Sequence, residues 1–366
     1  MKLIIQPEDG PSPLLTAFKA AKKSIEIVIF RLDRTDVERA LKAAVQRGVK
    51  VTALIAQVNR GGEKSLRNLE TRFLEAGITV ARTADDLIRY HDKMFIIDKR
   101  IFYLLSFNFT HMDIDHSRGF GITTKNPTLL QEASKLFEAD CQRRPYTAGT
   151  DTFVVSPANS RRVLRGFLKR AKKQLLIYDP QISDKEMIRT LQERAKAGVE
   201  IRVIGRLTGG AGLTAHKLAR VRLHTRTIIR DGRQAFVGSQ SLRPAELDSR
   251  REAGLILRDP SVVKKLLATF ESDWATIDAA REQNAPGEKA EACPPVPKKD
   301  AEKAAAVLVH ELRPVTETVK KAVKKVLTQA GEDVLHDKIV KTTVKKVVKK
   351  AVKQAVKEVV ESAARE

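Results

Sequence analysis

The sequence has few cysteines, few aromatic residues and no long hydrophobic run. Its two cysteines, Cys141 and Cys293, lie far apart and in no CxxC or ligand spacing. This argues against a disulfide framework and a zinc site, and it predicts a reducing compartment. No stretch reaches the ~18 to 20 apolar residues of a membrane span, and the apolar run after Met1 is too short for a signal peptide. We therefore predict a cytoplasmic protein.

Acidic residues are also scarce relative to basic ones. The 366 residues hold 45 Asp and Glu against 68 Lys and Arg, a formal net charge of +23. Residues 1–280 alone hold 49 basic and 32 acidic residues, a net +17. Such a charge favours polyanionic partners, namely nucleic acid, anionic lipid headgroups or phosphorylated substrates. The alternative is a basic surface that serves only solubility.

Residues 21–55 predict a β-α-β unit that the chain repeats. An apolar run at 21–30 predicts a buried strand, a helical pattern at 33–47 ends at Gly48, and a second strand follows at 49–55. The pattern at 171–201 repeats that at 21–51 without gaps. We predict an α/β fold of two duplicated α/β/α-sandwich halves, at residues 1–147 and 148–280.

The C-terminal part has a different composition. Residues 281–305 contain four prolines, Gly287 and many charged residues and predict a linker. Residues 306–366 are rich in Lys, Val and Ala, with valines and alanines at helical spacing. This predicts a basic amphipathic helix, which lies peripherally on an anionic membrane or packs against a protein partner. The alternative is a helix of small residues that packs on the body of its own chain or self-associates.

One motif with chemical potential occurs twice. The first copy is His91-x-Lys93 followed after four residues by Asp98, and the second is His224-x-Arg226 followed by Asp231. On a strand, residues i and i+2 face the same side, so each histidine lies beside a cation. Each Asp falls at the end of its strand, as a supporting residue of the motif.

A turn and a returning strand follow each copy. If each turn has two loop residues, His91 lies opposite Asn108 and Lys93 opposite Ser106. The same register in the second copy places His224 opposite Ser241 and Arg226 opposite Ser239. Each hairpin then presents an imidazole, a cation and two small polar side chains on one face.

These groups suit a phosphodiester. The cation and polar side chains hold the nonbridging oxygens, while a neutral imidazole attacks phosphorus or transfers a proton. Two facing copies would supply a nucleophile and a general acid. The alternative, two histidines that only fill the core, is hard to reconcile with four unlike polar groups at matched spacing.

The two motifs, with Phe236-Val237-Gly238-Ser239-Gln240-Ser241 and Arg250-Arg251-Glu252, resemble the phospholipase D superfamily over about residues 1–275. The second segment is similar to bacterial members grouped with phospholipases and cardiolipin synthases. The resemblance implies a phosphohistidine mechanism without metal or cofactor. It implies that His91 is the nucleophile and that His224 protonates the leaving alcohol.

The resemblance also assigns the surrounding residues. Phosphate would be bound by Lys93, Arg226, Asn108 and Ser239, with support from Ser106 and Ser241. In the family pattern a carboxylate or amide further along each half orients an imidazole, often across the halves. Glu252 holds that position in the second half and is expected to serve His91.

Three departures distinguish this sequence from the family pattern. Arg226 replaces the usual Lys, Ser241 replaces the usual Asn, and Gly119 stands where the first half's orienting residue is expected. An arginine keeps the charge but replaces a compact donor by a planar fork. We expect an active enzyme in which His224 is the less supported histidine.

Three functions remain open on the sequence alone. The first is a phospholipid phosphodiesterase or phosphatidyltransferase, with the basic tail as a membrane contact. The second is a nuclease acting on a nucleic-acid partner, which the net charge favours. The third is a degenerate module that binds phosphate without turnover. In each case we expect a monomer.

Overall fold

The fold is described by a computed structural model that covers residues 1–57, 63–210, 212–218 and 220–284. These residues form one compact unit of two α/β halves. The first half contains β1 (Lys2–Gln6), α1 (Ser12–Ala20), β2 (Ser24–Ile29), α2 (Thr35–Gln46), β3 (Lys50–Ile55), α3 (Glu63–Glu75), β4 (Thr79–Arg82), β5 (Arg89–Tyr90), β6 (Met94–Ile97), β7 (Ile101–Leu105), α4 (His111–Asp115), β8 (Ser117–Thr124) and α5 (Pro127–Cys141).

The second half repeats this order with one exception. It contains β9 (Phe153–Ser156), α6 (Ser160–Lys169), β10 (Gln174–Ile182), α7 (Lys185–Lys196), β11 (Glu200–Leu207), β12 (Ala215–His216), β13 (Arg222–Leu223), β14 (Arg226–Arg230), β15 (Gln234–Gly238), α8 (Pro244–Asp248), β16 (Arg250–Leu257) and α9 (Pro260–Asn284). Its described residues contain no helix between β11 and β12, where the first half has α3 between β3 and β4. The same shift in numbering relates α2 to α7 and β3 to β11, so the predicted duplication and the α/β class are confirmed.

Each half builds one mixed sheet. The first has the order β1-β8-β7-β6-β2-β3-β4, and the second has the order β12-β11-β10-β14-β15-β16-β5. In both sheets the β-α-β unit supplies a parallel strand pair, β2 with β3 and β10 with β11. The motif hairpins, β6–β7 and β14–β15, are antiparallel and lie in the middle of their sheets.

The two halves exchange short strands beside the motif histidines. Strand β5, which directly precedes His91, pairs in parallel with the start of β16, which leads directly to Glu252. In the same way β13, just before His224, pairs with the start of β8, just before Gly119. The exchange brings each motif histidine to the position in the other half where the family pattern expects an orienting residue.

Three hydrophobic clusters form layers around the sheets. The central cluster combines one side of both sheets with buried residues of α5 and α9. A second cluster packs α1, α2 and α3 on the other side of the first sheet, and a third packs α6 and α7 on the second sheet. The motif strands therefore run through the interior, which explains how the structure buries the charged Lys93 and Arg226.

The predicted hairpin register is wrong by one residue. Ile97 pairs with Ile101, so the first loop has three residues, and the second hairpin pairs Arg230 with Gln234 in the same way. Asp98 and Lys99 adopt φ angles of 54° and 52°, and the N–H of Arg100 donates to the carbonyl of Ile97. The two-residue loop assumed from the sequence does not form. The last pair before the turn is Ile97 with Ile101, so Asp98 belongs to the loop and not to the strand.

The boundaries of the two halves remain a prediction. The 147/148 boundary falls in the connection between α5 and β9, and α9 continues to Asn284, just inside the segment predicted as a linker. The rest of that linker and the predicted basic tail at 306–366 lie outside the described residues. Within the described part, no helix combines the length and apolarity that a membrane crossing requires.

Candidate functional site

A cavity of about 260 Å³ lies where the two motif segments meet. Its walls include both motif histidines, His91 and His224, together with Asn108. Three arginines also line it, namely Arg31, Arg89 and Arg222. The strand exchange thus brings both histidines of the duplicated motif into one cavity.

His91 is held by a carboxylate from the other half. Its Nδ1 atom lies 3.0 Å and 2.9 Å from the two carboxylate oxygens of Glu252, and both side chains are buried. The backbone supports the contact, because the N–H of His91 donates to the carbonyl of Arg251 at 2.7 Å. A carboxylate that accepts from Nδ1–H fixes the neutral tautomer with its lone pair on Nε2. Glu252 therefore orients His91 with Nε2 available for another partner.

Electrostatics also keep His91 neutral. Burial holds its pKa well below the usual value of 6.5, and the nearby cations Lys93 and Arg226 lower it further. Burial also raises the pKa of Glu252, which the same two cations oppose. For Lys93, burial lowers the pKa to about 7, although Glu252 favours its charged form. The site thus favours an unprotonated imidazole beside a readily titrated lysine.

The two cations occupy equivalent places. The Lys93 ammonium donates to the carbonyl oxygen of His91, and the Arg226 Nη1 donates to the carbonyl oxygen of His224 at 2.6 Å. Arg226 Nε also donates to Ser241 Oγ at 3.2 Å. Lys93 lies 5.2 Å from the centroid of the Phe30 ring, which is 4.6 Å from that of His91. Each cation therefore holds the main chain of its own motif histidine.

The four small polar residues divide into two roles. Ser106 Oγ accepts from the backbone N–H of Phe120 at 2.9 Å, and Ser239 Oγ likewise accepts from that of Ala253 at 3.2 Å. These two hydroxyls join neighbouring strands. Asn108 lines the cavity and its Oδ1 atom has no hydrogen-bond partner among the described residues. Of the four small polar residues, Asn108 is thus the one on the cavity wall.

The two motif aspartates do not join the cavity. Asp98 lies at the opposite end of its strand and accepts from the backbone N–H groups of residues 22, 23 and 24 at 2.6 to 3.1 Å. Asp231 accepts from residues 172, 173 and 174 in the same way. Although burial opposes it, these N–H donors lower the pKa of both carboxyls. Their structural role is to hold the loop before β2 or β10 against the motif hairpin.

The first half has no space for an orienting side chain at Gly119. A Cβ atom there would lie 2.9 Å from Cδ1 and 3.2 Å from Cβ of Phe107. Phe107 is fully buried. In the second half Gln240 stands where Phe107 stands in the first, and there the side chain of Glu252 is accommodated. Packing of Phe107 thus accounts for the glycine at the position where the family pattern expects a polar residue.

A different acid approaches His224, and no sequence motif indicates it. Asp113 lies on α4, and its Oδ2 atom is 3.0 Å from His224 Nε2. The two atoms are close but not aligned for a hydrogen bond. Asp113 also accepts from the N–H and Nδ2 of Asn108 at 2.8 and 2.6 Å, and from the Arg222 guanidinium. Its position between His91 and Gly119 does not fit the family pattern, so only the fold reveals this residue.

The environment of His224 shifts its pKa in the same direction as the environment of His91 does. Burial lowers the pKa of His224 to about 4, and Arg226 and Lys93 act in the same direction. Asp113 is the group that opposes this effect, because its negative charge favours the imidazolium. Although burial opposes it, His224, Asn108 and Arg222 in turn lower the pKa of Asp113. Asp113 is thus the charge partner of the second histidine.

Together these groups can bind an anion and transfer protons beside it. Two imidazoles, an amide and three arginines line one small space. Glu252 and Asp113 each contact one of the histidines, and the buried Lys93 and Arg226 hold the main chain beside them. Among the described residues, no group of three or more His, Cys, Asp or Glu side chains is arranged to hold a metal ion. Independence from metal and cofactor remains a prediction.

The comparisons with known proteins identify the family. A family model described as "Cardiolipin synthase, PLD-like domain" matches residues 14–141 and 164–274. No curated protein matches the sequence.

Two solved structures have a similar fold. A polyphosphate kinase from Porphyromonas gingivalis is 20% identical, with a TM-score of 0.63, over 75% of this chain and 50% of the kinase. A phosphatidylserine synthase from Haemophilus influenzae Rd KW20 is 12% identical, with a TM-score of 0.54, over 75% of this chain and 85% of the synthase. The chain thus spans only half the length of the kinase, and at these identities both likenesses concern the fold alone. The family model covers more than half of the chain, which therefore belongs to the phospholipase D superfamily.

Proposed function

We propose that the protein is a phosphodiesterase that hydrolyses or transfers the phosphatidyl group of a phospholipid through a phosphohistidine at His91. The observation that carries this proposal is the bond between His91 Nδ1 and Glu252 at 2.9 to 3.0 Å beside His224 in one cavity. A neutral imidazole whose other nitrogen is fixed by a carboxylate is a good nucleophile for phosphorus. The superfamily supplies the reaction class.

In the first step His91 Nε2 forms a bond to phosphorus, and the bond from phosphorus to the headgroup oxygen breaks. The leaving oxygen takes a proton from the imidazolium form of His224, which Asp113 favours, so the headgroup departs as an alcohol and the His224 ring becomes neutral. Lys93, Arg226 and Asn108 would hold the nonbridging oxygens as negative charge develops. Glu252 stabilises the positive charge that forms on His91.

In the second step an oxygen nucleophile attacks the phosphohistidine. His224, now neutral, accepts a proton from water or from an acceptor alcohol. The new oxygen–phosphorus bond forms as the nitrogen–phosphorus bond breaks, and His91 is regenerated. Water gives hydrolysis, whereas an acceptor alcohol gives transfer.

The surface around the cavity supports a lipid substrate. Met112, which lines the cavity, is 53% exposed, and Ile88, next to the lining residue Arg89, is 59% exposed. Exposed large apolar side chains beside a basic opening suit acyl chains next to a phosphate. The one aromatic residue of the cavity wall, Phe30, is buried and offers no face on which bases could stack. These features favour lipid over nucleic acid as the substrate.

The decisive experiment offers purified full-length protein two labelled substrates, phospholipid vesicles and single-stranded DNA, with EDTA present. We expect release of lipid headgroup and an acid-labile phosphoryl label on the wild type. The label should be absent from His91→Ala. Cleavage of DNA alone would replace the lipid proposal by a nuclease. Turnover of neither substrate, with phosphate binding retained, would favour a binding module.

His91→Ala needs a matched variant because it removes a buried ring. Glu252→Gln keeps the shape of the site and removes only the carboxylate charge behind His91. We expect the rate of phosphohistidine formation to fall by about 10- to 1000-fold in this variant, with the label still on His91. Equal labelling of His91→Ala and wild type would rule out His91 as the nucleophile.

A further inference from the structure

A second cavity of about 210 Å³ adjoins the catalytic one. Arg222 lines both cavities, and Arg206 and Lys217 line only the second. Arg222 is held firmly at the junction, because its guanidinium contacts Asp113 and its Nε donates to Ser117 Oγ at 2.9 Å. The two cavities thus share one ordered cation, which joins them on the side of His224.

The second cavity lies at a favourable edge of the sheet. Pro180, Arg206 and Lys217 lie at or just beyond the carboxyl ends of β10, β11 and β12, which run parallel to one another. Ligands of open α/β sheets bind beyond the carboxyl ends of such strands. Gly205, which lines this cavity, has a φ angle of 146°, and a Cβ atom there would lie only 1.7 Å from the Asp179 carbonyl oxygen, so only glycine fits at this position.

The charged residues that line the second cavity all have the same sign. Its walls contain three basic side chains and no acidic one. Within the described part of the chain, Arg206 and Lys217 have no carboxylate partner, and Arg206 Nε donates only to the Pro180 carbonyl at 3.4 Å. Basic residues elsewhere in this half, such as Arg161 and Arg202, are paired with carboxylates. Two unneutralised cations next to a shared arginine form a site for an anion.

We propose that this cavity binds a second phosphate group, carried as a monoester by the alcohol that leaves from or attacks the scissile phosphorus. The proposal rests on the proposed function, because it takes His224 as the group that protonates the leaving alcohol. Arg222 lies close before His224 in the chain, so the shared cation marks the leaving-group side of the reaction. The substrate class is then a phospholipid whose headgroup ends in a phosphate. A fork of arginine donors and a lysine charge are the groups that recognise phosphate.

The test compares two lipids that differ only in this phosphate. Phosphatidylglycerol and phosphatidylglycerol phosphate are presented in neutral detergent micelles, which remove the charge of a membrane surface. We expect the wild type to prefer the second lipid in kcat/KM by at least about tenfold, the worth of one charge-assisted contact. In Arg206→Gln/Lys217→Gln that ratio should fall toward one. Arg220→Gln, from the same connection between β12 and β13 but outside the cavity wall, should keep the wild-type ratio.

A binding measurement separates the two proposals. His91→Ala cannot form the proposed intermediate, so its affinity for the two micellar lipids reports the cavity alone. We expect His91→Ala to bind the phosphorylated lipid more tightly than the other lipid. Adding Arg206→Gln/Lys217→Gln to this variant should abolish the difference in affinity. Both results together would support the cavity even if the wild type turns over neither lipid. Equal affinities for the two lipids, or an equal change in Arg220→Gln, would overturn it. Binding of an oligonucleotide that depends on Arg206 and Lys217, with no lipid difference, would assign the cavity to a nucleic-acid strand instead.

Discussion

Removing the charge of Asp113 is expected to lower the pKa of His224 further. In the native protein burial lowers this pKa to about 4, and Asp113 is the group that limits the decrease. Two other charges, those of Arg226 and Lys93, disfavour a protonated His224 ring. Asp113→Asn keeps the size of the side chain and an acceptor for the Asn108 N–H, so the change is mainly one of charge.

The size of the effect follows from the distance. Unit charges 3.0 Å apart attract by about 1.4 kcal/mol in the dielectric of water, and by more in a buried site. Both side chains are largely buried, at 12% and 5% exposure, so the value for water is a lower limit. Since a pKa unit corresponds to about 1.4 kcal/mol, we expect a decrease of roughly one to two units. If protonated His224 is the acid, kcat/KM near neutral pH falls by about 10- to 100-fold.

The direct assay is an NMR titration of protein labelled with ¹³C in its histidine rings. His224→Ala identifies the His224 signal by its loss. The matched control is Asp115→Asn on the same helix, because Asp115 contacts Arg34 and His111 rather than His224. We expect Asp113→Asn to move the His224 titration to lower pH and Asp115→Asn to leave it in place.

Two results would refute this reasoning. An unchanged His224 titration in Asp113→Asn would show that the charge of Asp113 does not affect the pKa of His224. An equal shift in both variants would attribute the effect to the helix and not to the Asp113 carboxylate. A lower kcat/KM with an unchanged titration would point to a changed position of Asn108 instead.

Three further predictions concern other parts of the fold. Because Lys93 has a pKa of about 7 while an arginine stays charged, the kcat/KM of Lys93→Arg relative to wild type should rise as the pH increases above about 7, measured with a soluble diester. Gly119→Ala should lower the free energy of unfolding by about 1 to 3 kcal/mol in urea melts, since the added methyl group overlaps Phe107; an unchanged melt would mean that Phe107 moves freely. Asp98→Asn should lower the free energy of unfolding by about 1 to 2 kcal/mol, because Asn accepts hydrogen bonds from the three N–H groups more weakly. The kcat per folded molecule should not change. A selective loss of kcat would contradict the structural role.

The sequence predicted the duplicated fold and the meeting of the two histidines because both depend on repeated local patterns. Hydrophobic periodicity marks the β-α-β units, and a constant shift in numbering relates them without any knowledge of contacts. The predicted hairpin register was wrong because the register depends on backbone angles at Asp98 and Lys99, which are rarely positive for residues other than glycine. The duplicated copy carries a partial signal, because Gly232 occupies one of the two positive-φ positions there.

Asp113 could not be predicted for a different reason. Its position near His224 results from the exchange of β13 onto β8 and from the placement of α4, both of which are contacts between distant parts of the chain. A weak signal existed in the duplication itself. Glu246 holds the place in the second half that Asp113 holds in the first, and it accepts from the N–H of Ser241 as Asp113 does from that of Asn108. A carboxylate repeated at the same spacing after each small polar residue indicates a shared structural role, but not the added contact of Asp113 with His224.

The two halves share a framework and differ in which ring nitrogen faces a carboxylate. Glu252 engages Nδ1 of His91, which leaves Nε2 with a lone pair for phosphorus. Asp113 instead lies close to Nε2 of His224 without an aligned hydrogen bond. Its charge favours a proton on Nε2, and that proton is not held in a hydrogen bond to Asp113. The first arrangement suits a nucleophile and the second suits an acid. Because Phe107 excludes a side chain from Gly119, the first half cannot reproduce the Glu252 contact. The packing of Phe107 and the approach of Asp113 therefore both make the two histidines unequal.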